Sequence, residues 1–524
     1  MNTSEMKKIM EEKKYLRDKL FSFGFLLTNA EINEKSYPFY SNWVKEQENN
    51  WTLLVHKKQK YFIHREPGVS LMLVGHAYDP FSMEYDENEI LKDYGKILTE
   101  FGIEKLIEKI NQLTGIFTFF ILKGDELQVV GDPTCIQTNY YTEKDGYFYI
   151  STHSRLLGDL LDLEEDVYVK KLIQYKYFHL FGNSLPGDLS PLVRCKRIIP
   201  NHFLEYKDSK ITCSRFFVIE KIEKDRAEIV NEIAEILNRN MKLIAKKWVK
   251  PAISLTGGCD SRTTLAATTG LYEKFSYFSY ISVEKEKIDA NTAHEISLGL
   301  GNQHIIYNIS DNDSDYLDLE AIKEILYWNG GGTLYTNSND IRKRCFFDGV
   351  QEFDVEVKSW CSEIGRAYYS KRFNNRKSFG KKATPRKCTT LYKVFLSNRK
   401  LVKETDKIFK SYINKYFNQP IGKIPWQEQF FWEYRIASWN SLVITGEQRF
   451  SYDITIPYNN RKLLCLFMSV PIEERIKDKL YYDVRKLLNP LVDRFGVSVI
   501  NEEHTRKRAR IENLYYSIHS KWPF

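Results

Sequence analysis

The sequence predicts an α+β first half, followed by an α/β second half that is built on a parallel sheet and ends in a helical C-terminal part. Up to about residue 217, short apolar or alternating runs are separated by turn residues, a pattern typical of packed sheets. From residue 224, helix and strand patterns alternate, which is typical of a parallel α/β sheet. Beyond about residue 390 the chain is aromatic-rich and its pattern is largely helical.

The length of the chain sets the number of domains. At roughly 150 residues per domain, 524 residues suggest two to four domains. The pattern changes between residues 218 and 225, so we predict two domains that span residues 1–220 and 221–524. Hydrophobic residues make up 43% of the chain and aromatic residues 14%, which is enough for packed interiors and excludes a largely disordered protein.

Charge and cysteine content exclude several classes of protein. A net charge of +8 with a pI near 8.7 is a small excess for this length, so nucleic acid is not an expected partner. The eight cysteines form no C-x-x-C pair, which argues against a zinc site or a disulfide framework. The first twenty residues lack an apolar centre and no run approaches 18 apolar residues. We therefore expect a soluble, cytoplasmic protein without membrane contact.

The first half is predicted to consist of strands with one helical interruption. The predicted strands lie within 51–65, 70–78, 115–122, 126–132 and 146–152. The helical segment covers residues 87–113 and places one apolar face at 3.6-residue spacing, formed by Ile90, Leu91, Tyr94, Ile97, Leu98 and Phe101. This mixture gives the α+β class.

The second half alternates helices with strands. An amphipathic helix begins near Lys224 and is followed by the apolar run 252–255 and a glycine pair. Residues 275–283 are predicted as a strand, 289–301 as a short helix that ends in glycine, and 304–309 as another strand. In such a sheet, the crevice beyond the carboxyl ends of the strands is the expected ligand site.

The glycine pair belongs to the segment "TGGCDS", residues 256–261, between a predicted strand and a predicted helix. Gly257 and Gly258 would let the backbone approach phosphate oxygens closely, and the helix N-terminus directs N–H groups towards them. We assign Ser254, Thr256 and Ser261 to the same binding set because their hydroxyl groups can donate to phosphate. A Walker A loop is excluded, since the four-residue spacing and the lysine are missing.

Asp260 is the unusual member of this segment, because a carboxylate repels phosphate. The two are compatible if Mg²⁺ lies between them and accepts oxygens from both. The predicted cofactors are therefore ATP and Mg²⁺. The alternative interpretation is an ordinary strand-to-helix turn with Asp260 or Ser261 as the N-cap. Cys259 is interpreted as a small buried residue.

The segment "TGGCDS" resembles the S-G-G-x-D-S pyrophosphate loop of the N-type ATP pyrophosphatases. Three further elements of the chain from about residue 225 resemble the synthetase domain of the class B asparagine synthetase superfamily, which includes β-lactam synthetases and lasso-peptide cyclases. They are "DANTAHEISLGLGNQHIIYNI", "WCSEIGRAYY" and "ITIPYNNRKLL". The resemblance implies an adenine nucleotide α hydrolase-like α/β domain, an AMP-forming activity, and Glu363 as a metal ligand beside Asp260.

The first half resembles the class II glutamine amidotransferase domain of the same enzymes, through residues 113–157. This implies an Ntn-hydrolase-like sheet sandwich. The family's nucleophile is a cysteine directly after the initiator methionine, where this chain has Asn2. We therefore expect a retained scaffold that does not release ammonia, since no thioester with glutamine can form there.

The resemblance also implies an acid near "YWNGGG" that assists the amine, where the chain has Asn329, and a lysine near "LLNPLVDRFGVSV", where it has none. Lys507, in "HTRKRAR", is our candidate catalytic lysine from a shifted position. Its alternative interpretation is a solvated charge.

Residues 366–387 contain nine Lys or Arg residues, two Phe residues and no acid. Such a run is typical of a solvated, mobile loop. The alternatives are a segment that covers the ATP phosphates, one that grips an anionic substrate, or one that binds RNA.

These observations lead to one functional hypothesis with two alternatives. The protein is predicted to be an ATP-dependent, amide-forming ligase that adenylates a carboxylate on a polysaccharide, natural-product or peptide precursor and joins it to an amine. Its expected partners are that acid and an amine donor, and a homodimer is compatible with the sequence. The alternatives are a tRNA-modifying ATP pyrophosphatase and a catalytically inactive binding module.

Overall fold

The computed structural model describes residues 2–220, 222–350, 352–373, 379–393, 396–417, 421–495 and 502–521. Its first half contains twelve strands and four helices. The strands are β1 (Phe25–Thr28), β2 (Trp43–Glu48), β3 (Trp51–His56), β4 (Tyr61–Glu66), β5 (Val69–Tyr78), β6 (Thr114–Lys123), β7 (Glu126–Gly131), β8 (Tyr140–Lys144), β9 (Tyr147–Ser151), β10 (Lys196–Arg197), β11 (His202–Lys207) and β12 (Lys210–Arg215). The helices are α1 (Thr3–Glu12), α2 (Glu87–Ile110), α3 (Ser154–Leu161) and α4 (Val167–Ile173).

The strands of the first half form two antiparallel sheets of six strands each. The orders are β10-β8-β9-β1-β3-β2 and β12-β11-β7-β6-β5-β4. The inner faces of the two sheets pack on one another through buried side chains such as Phe25, Trp51, Phe120 and Phe148. Helix α2 covers the outer face of the second sheet, and α1 and α3 cover that of the first. The predicted α+β sandwich is therefore confirmed as four layers, helix, sheet, sheet and helix.

Helix α2 departs from its predicted continuous apolar face at one residue. Gly102 has a φ of +81° and interrupts the helical backbone, which changes the direction of the chain after the first four turns. The predicted face holds for Ile90, Leu91 and Tyr94, which are buried, but Phe101 is 66% exposed. Phe101 is the last residue before the break at Gly102, and the prediction that it belongs to the buried face was wrong.

The second half begins with α5 and a five-stranded sheet. Its elements are α5 (Arg226–Lys247), β13 (Pro251–Ser254), α6 (Cys259–Ala267), β14 (Ser276–Ile281), α7 (Lys287–Gly299), β15 (Ile305–Asn308), α8 (Leu319–Asn329), α9 (Ser338–Gly349) and β16 (Val355–Val357). The last strand, β17, is Asp453–Thr455. The sheet order is β15-β14-β13-β16-β17, and every pairing is parallel. The predicted parallel sheet is confirmed.

The region between β16 and β17, and the chain after β17, are helical. The helices are α10 (Tyr368–Phe373), α11 (Pro385–Tyr392), α12 (Arg399–Tyr412), α13 (Trp426–Phe430), α14 (Ala437–Gly446), α15 (Arg461–Ser469), α16 (Ile472–Ile476), α17 (Lys479–Leu488) and α18 (Glu502–His519). The predicted helical part is confirmed, although β17 returns from it to the edge of the sheet. In the part of the chain described, no helix is both long and apolar enough to span a bilayer.

Buried polar contacts join the two halves. The amide Nδ2 of Asn459 donates to the carbonyl oxygen of Gly115 and to Oδ1 of Asp132, at 2.7 and 2.8 Å. Arg461 donates to the carbonyl oxygen of Gly131 at 2.8 Å. A hydrophobic cluster also continues across the junction, since Tyr78 and other residues of the first half pack with residues of the second. Asn459 and Arg461 are fully buried at this junction.

Candidate functional site

The glycine segment leaves the centre of the parallel sheet. Strand β13 lies between β14 and β16 and ends at Ser254, and α6 begins at Cys259. The loop between them therefore stands at the carboxyl edge of the sheet, where open α/β folds bind ligands. The sequence predicted this strand, loop and helix in the order observed.

The start of α6 tests the interpretation of the loop as a turn capped by Asp260 or Ser261. Gly258 is the N-cap, its φ of −72° is ordinary, and no side chain caps the helix. Asp260 and Ser261 lie within the first turn and are not the cap, so the alternative interpretation of a turn capped by either residue is wrong. The N–H groups at this helix end thus keep their capacity to bind an anion.

Two hydroxyl groups organise the loop by accepting hydrogen bonds. The N–H of Thr256 donates to Oγ of Ser261 at 2.9 Å, and the N–H of Gly258 donates to Oγ1 of Thr256 at 3.2 Å. A hydroxyl group that accepts a bond still has its own hydrogen to donate. Both groups are therefore held in place with a donor left for a ligand.

The loop opens into a cavity of about 400 Å³, which we call the loop cavity. This volume is within the range of roughly 300–1,000 Å³ typical of small-molecule sites. The lining residues are Ser254, Leu255, Thr256, Gly258, Asp260, Ser261, Ser279, Tyr280, Glu286, Asp289, Ala290, Lys358, Ser359, Trp360, Glu363 and Gln448. All the predicted cofactor-binding residues except Gly257 line it, so the structure brings this set together.

Asp260 is held by two side chains from the segment after β16. Ser362 Oγ donates to its Oδ1 at 2.8 Å, and Arg366 forms an ion pair with its Oδ2. Arg366 also binds both carboxylate oxygens of Asp478, each at 2.9 Å. The guanidinium group of Arg366 thus partly neutralises Asp260, the acid predicted from the sequence to be a metal ligand.

Glu363, from the same segment, also lines the loop cavity. It is half-buried, and its enclosed Oε2 has no hydrogen-bond partner among the described residues. Burial and the negative charge of Asp260 raise the pKa of Glu363. Two carboxylates that face one cavity, one with an unsatisfied oxygen, fit a divalent cation. Among the described residues, no group of three or more His, Cys, Asp or Glu side chains is arranged to hold a metal ion. Mg²⁺ would therefore take its remaining oxygens from phosphate and water.

Lys358 is a cation in the loop cavity that the sequence analysis missed. It directly follows β16, is only 9% exposed, and its Nζ lies 2.6 Å from Oε1 of Glu356. Burial lowers the pKa of Lys358, and the Glu356 carboxylate opposes this shift. The sequence signal for Lys358 is its position directly after the short run "VEV". The family resemblance implied a lysine in the region after residue 487 instead.

The candidate catalytic Lys507 lies elsewhere. It is exposed on α18 and is not among the residues that line the loop cavity. Its catalytic role therefore stays a prediction. Asn329, at the position where the resemblance implies an acid, is buried and supports the fold, since it accepts from the N–H of Phe21 at 2.8 Å and donates to the carbonyl of Lys19 at 2.9 Å.

Several side chains of the basic run 366–387 are paired within the fold, whereas Lys381 and Lys382 are exposed in the loop before α11. Arg372 binds both carboxylate oxygens of Glu512, at 2.7 and 2.9 Å, and Arg386 lies 2.6 Å from Asp406. Lys387 donates to two backbone carbonyls. The expectation of a solvated, mobile loop is therefore corrected for Arg372 and Arg386, whose acidic partners lie on α18 and α12, and for Lys387, which is bonded within the run itself. Arg376 and Lys377 lie outside the described residues.

Comparisons with known proteins give weak structural likeness only. No protein-family model and no curated protein matches the chain. Glutamine phosphoribosylpyrophosphate amidotransferase from B. subtilis, complexed with ADP and GMP, is similar with 11% identity, a TM-score of 0.23, and coverage of 70% of this chain and 75% of that one. An allosteric regulatory enzyme of purine biosynthesis is similar with 10% identity, a TM-score of 0.25, and coverage of 70% and 74%.

Glutamine-dependent NAD+ synthetase from Acinetobacter baumannii, in complex with ADP, is similar over 34% of this chain and 33% of that one, with 15% identity and a TM-score of 0.20. Values this low assign neither a family nor a function. The functional assignment of this chain therefore depends on its own residues.

Proposed function

We propose that the protein is an ATP-dependent ligase that adenylates a carboxylate and transfers the acyl group to an amine. The observation that supports this proposal is the composition of the loop cavity. A helix N-terminus without a side-chain cap, oriented hydroxyl groups, two carboxylates and a buried lysine meet there, at the carboxyl edge of a parallel sheet. These are the groups needed to bind a nucleotide tail, a metal ion and a developing negative charge.

The reaction has two steps. An oxygen of the carboxylate attacks the α-phosphorus of ATP, the bond from that phosphorus to the bridging oxygen breaks, and pyrophosphate leaves. The amine nitrogen then attacks the acyl carbon, loses a proton, and AMP leaves with the electron pair of its bond to carbon. Bound Mg²⁺ would neutralise charge on the phosphates.

Each group of the cavity has a role in this reaction. Thr256 and Ser261 orient the polyphosphate by hydrogen bonds, together with the first-turn N–H groups of α6. Asp260 and Glu363 would hold the metal ion. Lys358 provides a fixed positive charge at the end of β16, where it would stabilise the charge that develops at the α-phosphate.

The amine would come from outside the chain. The described cysteines of the first half are Cys135, Cys195 and Cys213. Burial raises the pKa of Cys195 to about 12 and that of Cys213 to about 11, and it also raises the pKa of Cys135. These thiols stay protonated at neutral pH and are poor nucleophiles. Asn2 caps α1 by accepting from the N–H of Glu5. These features support a first half without glutaminase chemistry.

A second candidate function is a nucleotide-binding module without catalysis. The ion pair between Arg366 and Asp260 favours it, because a resident cation occupies one face of the proposed metal ligand. This candidate predicts nucleotide binding without release of pyrophosphate.

Calorimetry and a pyrophosphate assay separate the candidates. Titration of the full chain with ATP and MgCl₂ should give saturable binding, and Asp260→Asn should weaken it about tenfold or more, since the variant removes a charged contact. The matched control is Asp406→Asn, which removes an acid paired with Arg386 away from the cavity. Pyrophosphate release is then measured with ATP, a panel of carboxylic acids and hydroxylamine as the amine.

Release that depends on Asp260 supports the ligase. Binding without release from any acid of the panel overturns the ligase in favour of the binding module. If ATP does not bind at all, both candidates are wrong.

A further inference from the structure

A second cavity lies beside the loop cavity and has no role in the function proposed so far. Its volume is about 190 Å³, and we call it the aromatic cavity. It is lined by Leu180, Gly182, Tyr368, Tyr369, Arg372, Phe373, Leu391, Tyr392, Arg435 and Trp439. Four of these residues belong to the segment 368–373, within the basic run that the sequence analysis singled out.

The walls of the aromatic cavity are flat and rigidly supported. The ring of Tyr368 stacks on Phe431 with centroids 4.6 Å apart, and Tyr369 packs edge-on against the same Phe431 ring. An apolar cavity of about 150 Å³ can bind benzene. The aromatic cavity therefore has room for one six-membered ring with a small substituent, and its walls are largely aromatic.

Two arginines line this space, and one of them, Arg372, is paired with Glu512. The guanidinium group of Arg435 lies over the ring of Trp439, 4.9 Å from its centroid. Lys393 is buried behind the wall, with Nζ 4.9 Å from the centroid of Tyr392 and bonded to the carbonyl oxygens of Phe178 and Gly182. None of the described lining residues is acidic. Burial and the charge of Arg435 lower the pKa of Lys393 well below its usual range, so the cation that an anion would meet here is Arg435 and not Lys393.

Tyr369 supplies an unused donor. Its side chain is 4% exposed, and its hydroxyl group has no hydrogen-bond partner among the described residues. A buried hydroxyl group without a partner is costly and uncommon in folded proteins. A ligand in the cavity that carries an acceptor would satisfy it.

A pair of stacked tryptophans lies between the two cavities. Trp360 lines the loop cavity and Trp439 lines the aromatic cavity. Their rings are nearly parallel, with centroids 6.2 Å apart and an interplanar angle of 13°. A group in the aromatic cavity is thus separated from the loop cavity by the thickness of this pair.

We propose that the aromatic cavity binds a planar, ring-bearing carboxylate of about the size of benzoate. Its carboxylate lies against Arg435 and the Tyr369 hydroxyl group, and its ring lies between the aromatic walls. Because the rings of Trp360 and Trp439 stand between this site and the loop cavity, the proposal does not depend on the ligase.

The test is calorimetric titration of the full chain with benzoate, with benzyl alcohol and acetate as probes that lack the charge or the ring. Benzoate should bind at least about tenfold more tightly than either. Arg435→Gln should weaken benzoate binding about tenfold or more. Tyr369→Phe should weaken it about three- to tenfold, because it removes one hydrogen bond, and it should not lower the thermal midpoint, since the hydroxyl group has no partner to lose.

Tyr392→Phe is the matched control. The hydroxyl group of Tyr392 also belongs to a lining residue but donates to the carbonyl of Ser184 at 2.8 Å, so benzoate affinity should change less than about twofold. Equal binding of benzoate and benzyl alcohol, no binding of benzoate, or an equal loss in Tyr369→Phe and Tyr392→Phe would overturn the proposal.

Two variants keep this proposal distinct from the ligase. Asp260→Asn should leave benzoate binding unchanged, and Arg435→Gln should leave ATP binding unchanged. If benzoate binds as expected but no acid supports pyrophosphate release, the cavity is confirmed and the ligase is wrong. If ATP is cleaved with an acid but benzoate neither binds nor competes with that acid, the cavity proposal is wrong and the ligase stands.

Discussion

Arg366 lies against Asp260, the acid of the glycine segment, and its guanidinium group pairs with one oxygen of that carboxylate. The same guanidinium group binds Asp478 through two further hydrogen bonds. The chain therefore supplies its own cation at the position where the sequence predicts a metal ion. A metal ion and Arg366 would compete for one carboxylate.

Removal of the competitor should strengthen metal binding. We expect Arg366→Gln to raise the affinity of the nucleotide-free protein for Mg²⁺ about tenfold, as a charged contact to Asp260 is lost. The measurement is calorimetric titration with MgCl₂. Arg372→Gln serves as the control, because Arg372 binds Glu512 and not Asp260, and it should leave the affinity unchanged. If Arg366→Gln binds Mg²⁺ no better than the unaltered chain, the competition does not exist.

Variants of the ion pair between Lys358 and Glu356 can distinguish a role of Lys358 in stability from a role in catalysis. Lys358→Met should lower the free energy of unfolding by about 3–5 kcal/mol, because it leaves a buried carboxylate without its partner. The double variant Glu356→Gln/Lys358→Met should recover most of this loss. Denaturant titrations of the single and double variants measure both values.

In the double variant, pyrophosphate release should stay at least about a hundredfold below that of the unaltered chain, because the positive charge is still missing. Activity that returns together with stability would show that Lys358 only supports the fold.

A buried ion pair also stabilises the junction of the halves. Arg215, at the end of β12, binds both carboxylate oxygens of Glu433, at 2.6 and 2.9 Å, and neither side chain is more than 2% exposed. Arg215→Met should therefore cost about 3–5 kcal/mol of unfolding free energy. By contrast, Lys105→Met breaks only an exposed pair with Glu108 and should cost less than about 1 kcal/mol. Similar losses in both variants, measured by denaturant titration, would contradict the expected energetic role of the junction.

The support of the loop cavity should be sensitive to acid. His304 contacts Oγ of Ser279 at 3.0 Å, and Ser279 lines the cavity. Burial and the neighbouring His294 lower the pKa of His304 to about 4. Between pH 6.5 and about 4 the unfolded chain takes up a proton at this residue and the folded chain does not. Stability should therefore fall as the pH drops through this window, by up to about 3 kcal/mol.

Denaturant titrations between pH 4.5 and 7.5 measure this effect, and His304→Gln should reduce the slope. His179, which is exposed, provides the control variant His179→Gln, whose slope should match the unaltered chain. Equal slopes in all three proteins would exclude His304 as a source of acid sensitivity.

The sequence predicted those parts of the fold that local periodicity encodes. The strand, glycine loop and helix at residues 251–267 produce a clear pattern, and the structure has them as predicted. Strands β16 and β17 have three residues each, which is too short for a periodic signal. The incorrect prediction for Phe101 also reflects a local feature. The break at Gly102 involves a single residue, and a hydrophobicity pattern averaged over a helical window does not register it.

The candidate site was predicted less completely than the fold. Ser254, Thr256, Asp260 and Ser261 are contiguous with the loop, so the sequence placed them together. Lys358 was not predicted as a site residue because its position in the cavity depends on the order of the strands in the sheet. That order cannot be read from the sequence. The acidic partners of the basic run also could not be predicted, since Glu512 lies 140 residues from Arg372.

The amide of Asn459 and the guanidinium group of Arg461 reach backbone carbonyls that belong to the other half of the chain. A truncated fragment that ended near residue 220 would expose those carbonyls, and the apolar side chains that pack across the junction, to water. We therefore expect either half, produced alone, to be less stable than it is in the full chain.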